Sequence, residues 1–350
     1  MAKKRKPTIA ITTGDPAGIG PEITVKAIEQ GRKWIQRRVI PVVISDARVM
    51  VQALQIARSD LKIHVVKNLD EAVKEGPIIN VLDMKNVKMN RLKHGKVDAM
   101  AGKAAYEYIV KAAELARAGL IGAIVTGPVS KEAINKAGLP FTGHTELLAN
   151  LLGTKEYAMM LAHGPFRVTH VTTHSSLREA CNKVKKKRVL SVIRLTHQTM
   201  KKLGIDNPRI AVAGLNPHAG EDSLFGDEDR KEIAPAVEMA KREGIMAEGP
   251  IPPDTVFTKL RGRLYDVVVV MYHDQGHIPV KLLGFTVKKG GKDWSQMGGI
   301  NMTMGLPVIR TSVDHGVAFG KAGEGRANPE SMLDAIKLAI QLLENKCQCQ

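Results

Sequence analysis

Three histidines stand in three unlike contexts that glycine and proline punctuate: His174 in HVTTHSS, His218 in GLNPHAGED and His273 in MYHDQGH. Imidazole nitrogen is a ligand for borderline divalent metals, and three such rings gathered by folding would make one metal site. Each follows a run that reads as a strand, FRVTHVTTH from Phe166 to His174, RIAVAGLNP before His218 and DVVVVMYH before His273. Open parallel α/β sheets bind ligands in the crevice outside the carboxyl ends of their strands. Residue type and place therefore agree. Three neutral imidazoles leave coordination positions open for a substrate, and they suit zinc, cobalt or manganese better than magnesium, which prefers carboxylate and water oxygens.

The elements that must carry these residues alternate. Strand patterns occur at PTIAITT, VIPVVIS, Leu120 to Gly127, FRVTHVTT, RIAVAGL, YDVVVVMY and LPVIRTS. Between them lie runs with apolar residues at helical spacing and glycine stops, from Ala99 to Gly119, Lys185 to Gly204 and Glu232 to Gly244. Strand then helix, repeated, predicts mostly parallel sheets with helices on both faces. No internal repeat or low-complexity linker marks a domain boundary. The glycine turn GDPAGIGPE, Gly14 to Glu22, links the first strand to the first helix; it lacks GxGxxG spacing and reads on its own as a strand-to-helix turn.

Length and composition bound the function. The chain has 350 residues, enough for two domains, with 44% hydrophobic and 25% charged residues. No run of roughly 18 apolar residues predicts a membrane span. The basic start MAKKRKPTIAITTGDP lacks the form of a secretory signal. Cys181, Cys347 and Cys349 make no disulfide framework. A reduced, cytoplasmic protein is expected. The net charge of +17 raises nucleic-acid binding, with KKRK and KVKKKR (Lys183 to Arg188) as patches, but aromatic residues are only 4% and no base-stacking or groove-reading motif occurs. A lysine-rich solvated surface around an anionic substrate is the expectation, with neither nucleic acid nor membrane as partner.

Longer motifs carry a family resemblance. GDPAGIGPE, VTGPVSKEAINKAGLPFTGHTELLA (Val125 to Ala149), TTH, GLNPHAGED, GPIPPDTVF, MYHDQGHIPVK and GINMTMGLPVIRTSVDHG together resemble the 4-hydroxythreonine-4-phosphate dehydrogenase family, from about Thr8 to Leu343. The resemblance implies two α/β/α domains with mostly parallel sheets, like isocitrate and isopropylmalate dehydrogenases, and an active-site cleft between them. The expected division is 1–135 with 302–350, carrying the cofactor loop, and 136–301, carrying the metal and substrate site and a dimer interface. It implies a homodimer with a shared site, a divalent metal on His174 and His218 of one subunit and His273 of the other, and a phosphorylated substrate held by His144, Thr145, Lys281, Asn301 and Arg310. The segment Asp314 to Met332 resembles the loop by which the related decarboxylating dehydrogenases hold the adenosine of NAD, which assigns His315, Gly316, Gly323, Gly325 and Asn328 to the cofactor together with Gly14 and Asp15. Gly320 and Glu324 depart from that pattern, standing where members often carry an acidic and a basic residue.

The implied chemistry is oxidation of a hydroxyl β to a carboxylate by NAD, followed by loss of carbon dioxide. Lys281 is the candidate general base, with Asp254 and Asp274 as alternatives for proton transfer or for orienting His273. His277, four residues after His273, would imitate a helical ligand pair, but the intervening DQG argues against a helix. His170 and His163 read as packing or surface residues, and His64, His94 and His197 carry no signal. The link LLGFTVKKGGKDWSQMGG between Lys281 and Asn301 is longer than expected of the vitamin B6 branch and resembles the paralogues acting on D-threonate or D-erythronate 4-phosphate, which yield dihydroxyacetone phosphate. The alternatives are the pyridoxal 5'-phosphate pathway reaction on 4-phosphooxy-L-threonine and, more remotely, an NAD-independent phosphate acyltransferase-like enzyme.

Overall fold

A computed structural model describes residues 6–287 and 294–348. The KKRK start, the middle of the 282–299 link and Cys349 thus fall wholly or partly outside the described residues. Up to residue 155 the chain forms β1 (Thr8–Thr12), α1 (Gly20–Arg38), β2 (Ile40–Ser45), α2 (Ala47–Ala57), β3 (Lys62–Val66), β4 (Ile78–Asp83), α3 (Ala99–Arg117), β5 (Ala123–Thr126), α4 (Lys131–Lys136) and α5 (His144–Leu151). There follow β6 (Ala158–His163), β7 (Phe166–His170), α6 (Leu177–Lys183), α7 (Lys186–Lys202), β8 (Ile210–Ala213), α8 (Ala234–Arg242), β9 (Ala247–Ile251), α9 (Pro253–Arg261), β10 (Val267–Val270), α10 (His273–Gly284), β11 (Phe285–Val287), β12 (Trp294–Met297) and β13 (Ile300–Met304). Then come β14 (Ile309–Val313) and α11 (Glu330–Gln348).

The chain divides into two compact units, residues 1–155 with 306–348, and residues 156–305. In the first, six parallel strands run in the order β3-β4-β2-β1-β5-β14. In the second the order is β13-β6-β7-β10-β8-β9, antiparallel on both sides of β6 and parallel from β7 onward. The strand and helix patterns read from the sequence correspond to β1, β2, β5, β7, β8, β10, β14, α3, α7 and α8, with α8 preceded by a π-turn at Asp229–Ile233. The expected boundaries at 135 and 302 shift to 155 and 306. The reason is packing, since α4 and α5 lie against α3 of the first unit, and this carries His144 and Thr145 into that unit.

Covered strands explain the cores. All six residues of β2 and all four valines of β10 are buried, the continuous apolar pattern of a parallel strand with both faces covered. Tyr108, Ile109 and Ile124 centre the first core, and Leu161, Val168, Val268 and Val270 the second. Side-chain oxygens begin the helices: Asp46, Asp98, Ser130 and Ser176 accept backbone N–H groups at the starts of α2, α3, α4 and α6.

The basic run at 183–188 is partly internal structure. Lys183 pairs with Glu179 and Lys185 with Glu232, while the Arg188 guanidinium donates to the carbonyls of Val171 and Tyr157 at 3.0 and 2.9 Å. Among the described residues no helix is long and apolar enough to cross a membrane.

Candidate active site

The second unit places the predicted ligands by strand order. Strands β7, β10, β8 and β9 are successive parallel neighbours, so their carboxyl ends lie side by side at about 5 Å intervals. They lead in that order to His174, His273, His218 and Asp254. A cavity is lined by Thr173, His174, Leu177, Tyr272, His273 and Asp274. The rings of His174 and His273 have centroids 5.8 Å apart. Nδ1 of His273 lies 2.6 Å from Asp274 Oδ1, the carboxylate contact that fixes an imidazole's tautomer and leaves Nε2 for a metal or substrate.

His218 sits differently. It occupies a left-handed backbone conformation with φ 52°, and Ala219, Glu221, Asp222 and Ser223 also have positive φ. Such a run persists only where the surroundings impose it. Here the buried Asp229 carboxylate accepts the N–H groups of Leu215 and Asn216 and the Asn216 amide, which pins the turn. The His218 ring is exposed and faces Phe225 at 6.1 Å, with Glu221 3.6 Å from Nδ1. Among the described residues no three His, Cys, Asp or Glu side chains of one chain are arranged to hold a metal. The pair brought together in the chain is His174 with His273, whereas the resemblance allots His174 and His218 to one subunit.

His277 corrects the reading of its segment. The sequence DQG does not break the helix: α10 runs from His273 to Gly284, and His277 stacks on His273 with centroids 3.6 Å apart and planes 10° from parallel. Its Nδ1 lies 3.0 Å from the His273 carbonyl, and its ring meets the buried His170 at 4.8 Å. Gly276 makes this packing possible, because a Cβ there would lie 2.7 Å from His170 Nε2. Burial pulls His170 down to about 4, and burial together with the neighbouring His170 and His273 pulls His277 down to about 2. Both rings are therefore neutral near pH 7. One helical repeat further, Lys281 Nζ lies 5.6 Å from the Phe285 ring centroid. Asp254 stands at the start of α9, and Asn301 on β13 donates to Met159 Sδ at 2.9 Å while its buried Oδ1 accepts from no donor.

The first unit assembles the other predicted residues. Arg310 on β14 is 2% exposed and donates to Thr126 Oγ1 at 2.7 Å. Burial lowers its pKa to about 10, against which the Glu146 charge works, so it stays a cation at neutral pH. His144 begins α5, with its ring edge-on to Phe141 at 5.8 Å. Burial first, and then the positive charges of Arg310 and Lys131, push His144 well below the usual imidazole range. A neutral ring donor beside a buried guanidinium suits a bound anion. Thr145 follows on the first turn of α5.

The glycine turn and the 314–328 loop meet at the carboxyl ends of β1, β5 and β14, which are adjacent. Gly14 has φ 76°, and a Cβ there would lie 2.1 Å from the Pro128 carbonyl oxygen, so the position demands glycine. Asp15 donates its N–H to that oxygen and accepts from Ala17 N. Burial raises its carboxyl to about 6, opposed by the Ala17 N–H and reinforced by the charge of Asp98. Asp15 Oδ2 and His315 Nε2 are buried without hydrogen-bond partners, and a Cβ on Gly316 would meet nothing within 4 Å. Orphaned polar atoms beside open space fit a polar cofactor. Gly323 packs on His94, Gly325 on the Ile56 carbonyl, and Asn328 Oδ1 accepts the Glu330 N–H at the start of α11.

Comparison with known proteins gives this arrangement its context. Residues 37–339 match the family described as pyridoxal phosphate biosynthetic protein PdxA. The chain belongs to that family. It is 45% identical over 342 residues to a D-threonate 4-phosphate dehydrogenase of Pectobacterium atrosepticum, covering 95% of this chain and 98% of that one. The crystal structure of a 4-hydroxythreonine-4-phosphate dehydrogenase from Klebsiella pneumoniae is similar with TM-score 0.82 at 43% identity, covering 96% and 99% of the two chains. A β-decarboxylating dehydrogenase from Thermococcus kodakarensis, at 14% identity and TM-score 0.53 over 96% of this chain and 83% of that one, shares the fold. The PdxA-family chain is thus an oxidoreductase of the dehydrogenase class, with the expected isocitrate and isopropylmalate dehydrogenase-like α/β architecture.

Several residues at these sites have little signal in the sequence. His277 and His170 read from sequence as weak or packing residues, His94 carries no signal there, and Thr126 and Glu146 stand inside the Val125 to Ala149 motif without a role of their own. The signal for His277 was its i, i+4 spacing from His273 and, for Thr126, its place at the end of a strand adjacent to β14.

Proposed function

We propose that this PdxA-family dehydrogenase uses NAD and a divalent metal to oxidise and decarboxylate a 4-phosphorylated four-carbon hydroxy acid, D-threonate or D-erythronate 4-phosphate, to dihydroxyacetone phosphate. The observation that carries the substrate is the near full-length similarity to a D-threonate 4-phosphate dehydrogenase. The Klebsiella relative's name favours a second reading, with an amino group at C2 of the substrate.

The residues divide the work. His174 and His273, held at 5.8 Å with Asp274 behind His273, fit two ligands of a metal, for which tetrahedral geometry sets ring centroids roughly 5 Å apart. That distance supports an allotment in which these two come from one subunit and the partner's His218 completes the set. Exposed Leu224 and Phe225 beside His218, and Ile278 and Leu282 on α10, offer apolar surface for such a dimer. Asp15, His315 and the glycines of the 314–328 loop would hold NAD. A metal held by the histidines would supply polarisation of the C3 oxygen, and NAD held by the loop would supply the hydride acceptor. Lys281 takes the C3 hydroxyl proton, the resulting 3-keto acid loses C1 as carbon dioxide, and a proton returned to C2 completes dihydroxyacetone phosphate. Arg310, with His144, Thr145 and Asn301, holds phosphate and carboxylate through charged and neutral donors.

The test is NADH production from the three C4 phosphates with protein stripped of metal and then given single metals. Chelated protein should be inactive, and zinc, cobalt or manganese should restore turnover with the D-threonate or D-erythronate compound ahead of 4-phosphooxy-L-threonine. Full activity after exhaustive chelation would remove the metal from the scheme, and a preference for the amino compound would establish the second reading.

A further inference from the structure

The 314–328 loop is fastened from one side by two residues of α1, Glu22 at the end of the first glycine motif and Lys26 one turn beyond it. Glu22 lies on the first turn of α1 and is 2% exposed. Its Oε1 accepts both Lys26 Nζ at 2.6 Å and the Ala327 N–H at 2.8 Å. Lys26, one turn along the helix, sends the same ammonium group to the Gly325 carbonyl at 2.8 Å and the Ala327 carbonyl at 3.0 Å. A single ion pair thus grips one N–H and two carbonyls of a loop almost 300 residues away. A backbone carbonyl at each end of the Gly325–Ala327 stretch points at one cation, so the stretch has its path set by α1.

We infer that Glu22 and Lys26 form a clasp that sets the 314–328 loop in its cofactor-holding path, making Lys26 a positioning residue for NAD. The inference rests on the proposed role of that loop. The surroundings are consistent with a fixed path: Ile19 N donates to the Val317 carbonyl at 3.1 Å, and Gly325, at φ 71°, leaves only 2.6 Å between a would-be Cβ and the Ile56 carbonyl oxygen. Without the clasp the 325–327 stretch loses its bonds to α1, and the ion pair of Arg326 with Glu324 and its bond to the Gly320 carbonyl tie it only to its own loop, which is then free to sample other paths as a unit. The cost would fall on cofactor binding, since the ordering now built into the free protein would then have to occur on binding.

The experiment uses full-length Lys26→Met, which keeps the length of the side chain and removes the ammonium, and Glu22→Gln/Lys26→Met, which also removes the buried carboxylate left without its cation. Amide hydrogen exchange of residues 316–327 is read without NAD, and NAD affinity is read by calorimetry alongside steady-state kinetics. Both variants should exchange faster in that stretch and bind NAD weaker by roughly 10- to 100-fold, the loss expected from charge-assisted hydrogen bonds. At saturating NAD their kcat should stay within about threefold of wild type, as for an interaction equally present in ground and transition states. Lys26→Arg should recover part of the affinity. Unchanged exchange in the loop, or unchanged NAD affinity in folded Lys26→Met, would overturn the clasp. A wild-type protein that binds no NAD would instead overturn the reading of the loop on which it rests.

Discussion

His174→Ala, His218→Ala and His273→Ala proteins should each lose roughly a thousandfold or more in kcat/KM, the several kcal/mol expected when a metal's stabilisation of developing charge is removed. The informative result comes from mixing them after subunit exchange. If His174 and His273 of one chain join the partner's His218, a His174→Ala and His218→Ala mixture contains heterodimers with one intact ligand set. About a quarter of wild-type activity should then return, because half the dimers are mixed and half their sites are complete. The His174→Ala and His273→Ala mixture should stay inactive, since every site lacks a ligand. The opposite pattern, recovery only when His273→Ala is paired with His174→Ala or His218→Ala, would show that His273 is the residue that crosses. Structurally the prediction stands on the 5.8 Å separation of the His174 and His273 rings and on the exposed, turn-borne His218. No recovery in any mixture would count against a shared site.

Arg310→Ala should raise KM for the phosphorylated substrate and lower kcat/KM by roughly 2–5 kcal/mol, on the order of 30-fold to several thousandfold. The magnitude follows from burial. Arg310 is 2% exposed and fixed by Thr126 at 2.7 Å, so its fork is organised before substrate arrives and no water replaces it cheaply. Arg310→Lys keeps a charge but loses the planar pair of donors, and it should fall between the two. The role is specific to the anion: with the unphosphorylated acid, wild type and Arg310→Ala should differ far less than with the phosphate ester. Equal KM values for the ester in folded wild-type and Arg310→Ala protein would place the phosphate elsewhere.

Much of the second unit's site was legible because the chain announces strand ends. VVVV, RIAVA and FRVTH are strands by composition, and in a parallel sheet whatever follows them lies at one edge. Neighbour order was not legible. That β7, β10 and β8 are adjacent depends on pairings between segments roughly 60 to 100 residues apart, and the nearness of His174 to His273 follows from it. His277 was misjudged because glycine normally weakens a helix, whereas Gly276 is there to admit the buried His170 ring. Strands such as β3 and β9 escaped notice for a local reason: β3 is half exposed, and β9 contains glycine and proline in AEGPI. The boundary at 155 was hidden as well, since only the packing of α5 on α3 assigns His144 to the first unit. In the Glu22–Lys26 clasp the local i, i+4 pair is legible, but its partners in the loop lie 299 to 305 residues away.

The most direct measurement of the central claim is the stoichiometry of a single incubation with D-threonate 4-phosphate labelled at C1, NAD and the restoring metal. Released carbon dioxide, NADH and dihydroxyacetone phosphate should appear in equal amounts, and all three should vanish together in metal-stripped protein. NADH formed without release of C1, or C1 released without NADH, would contradict an oxidative decarboxylation at this site.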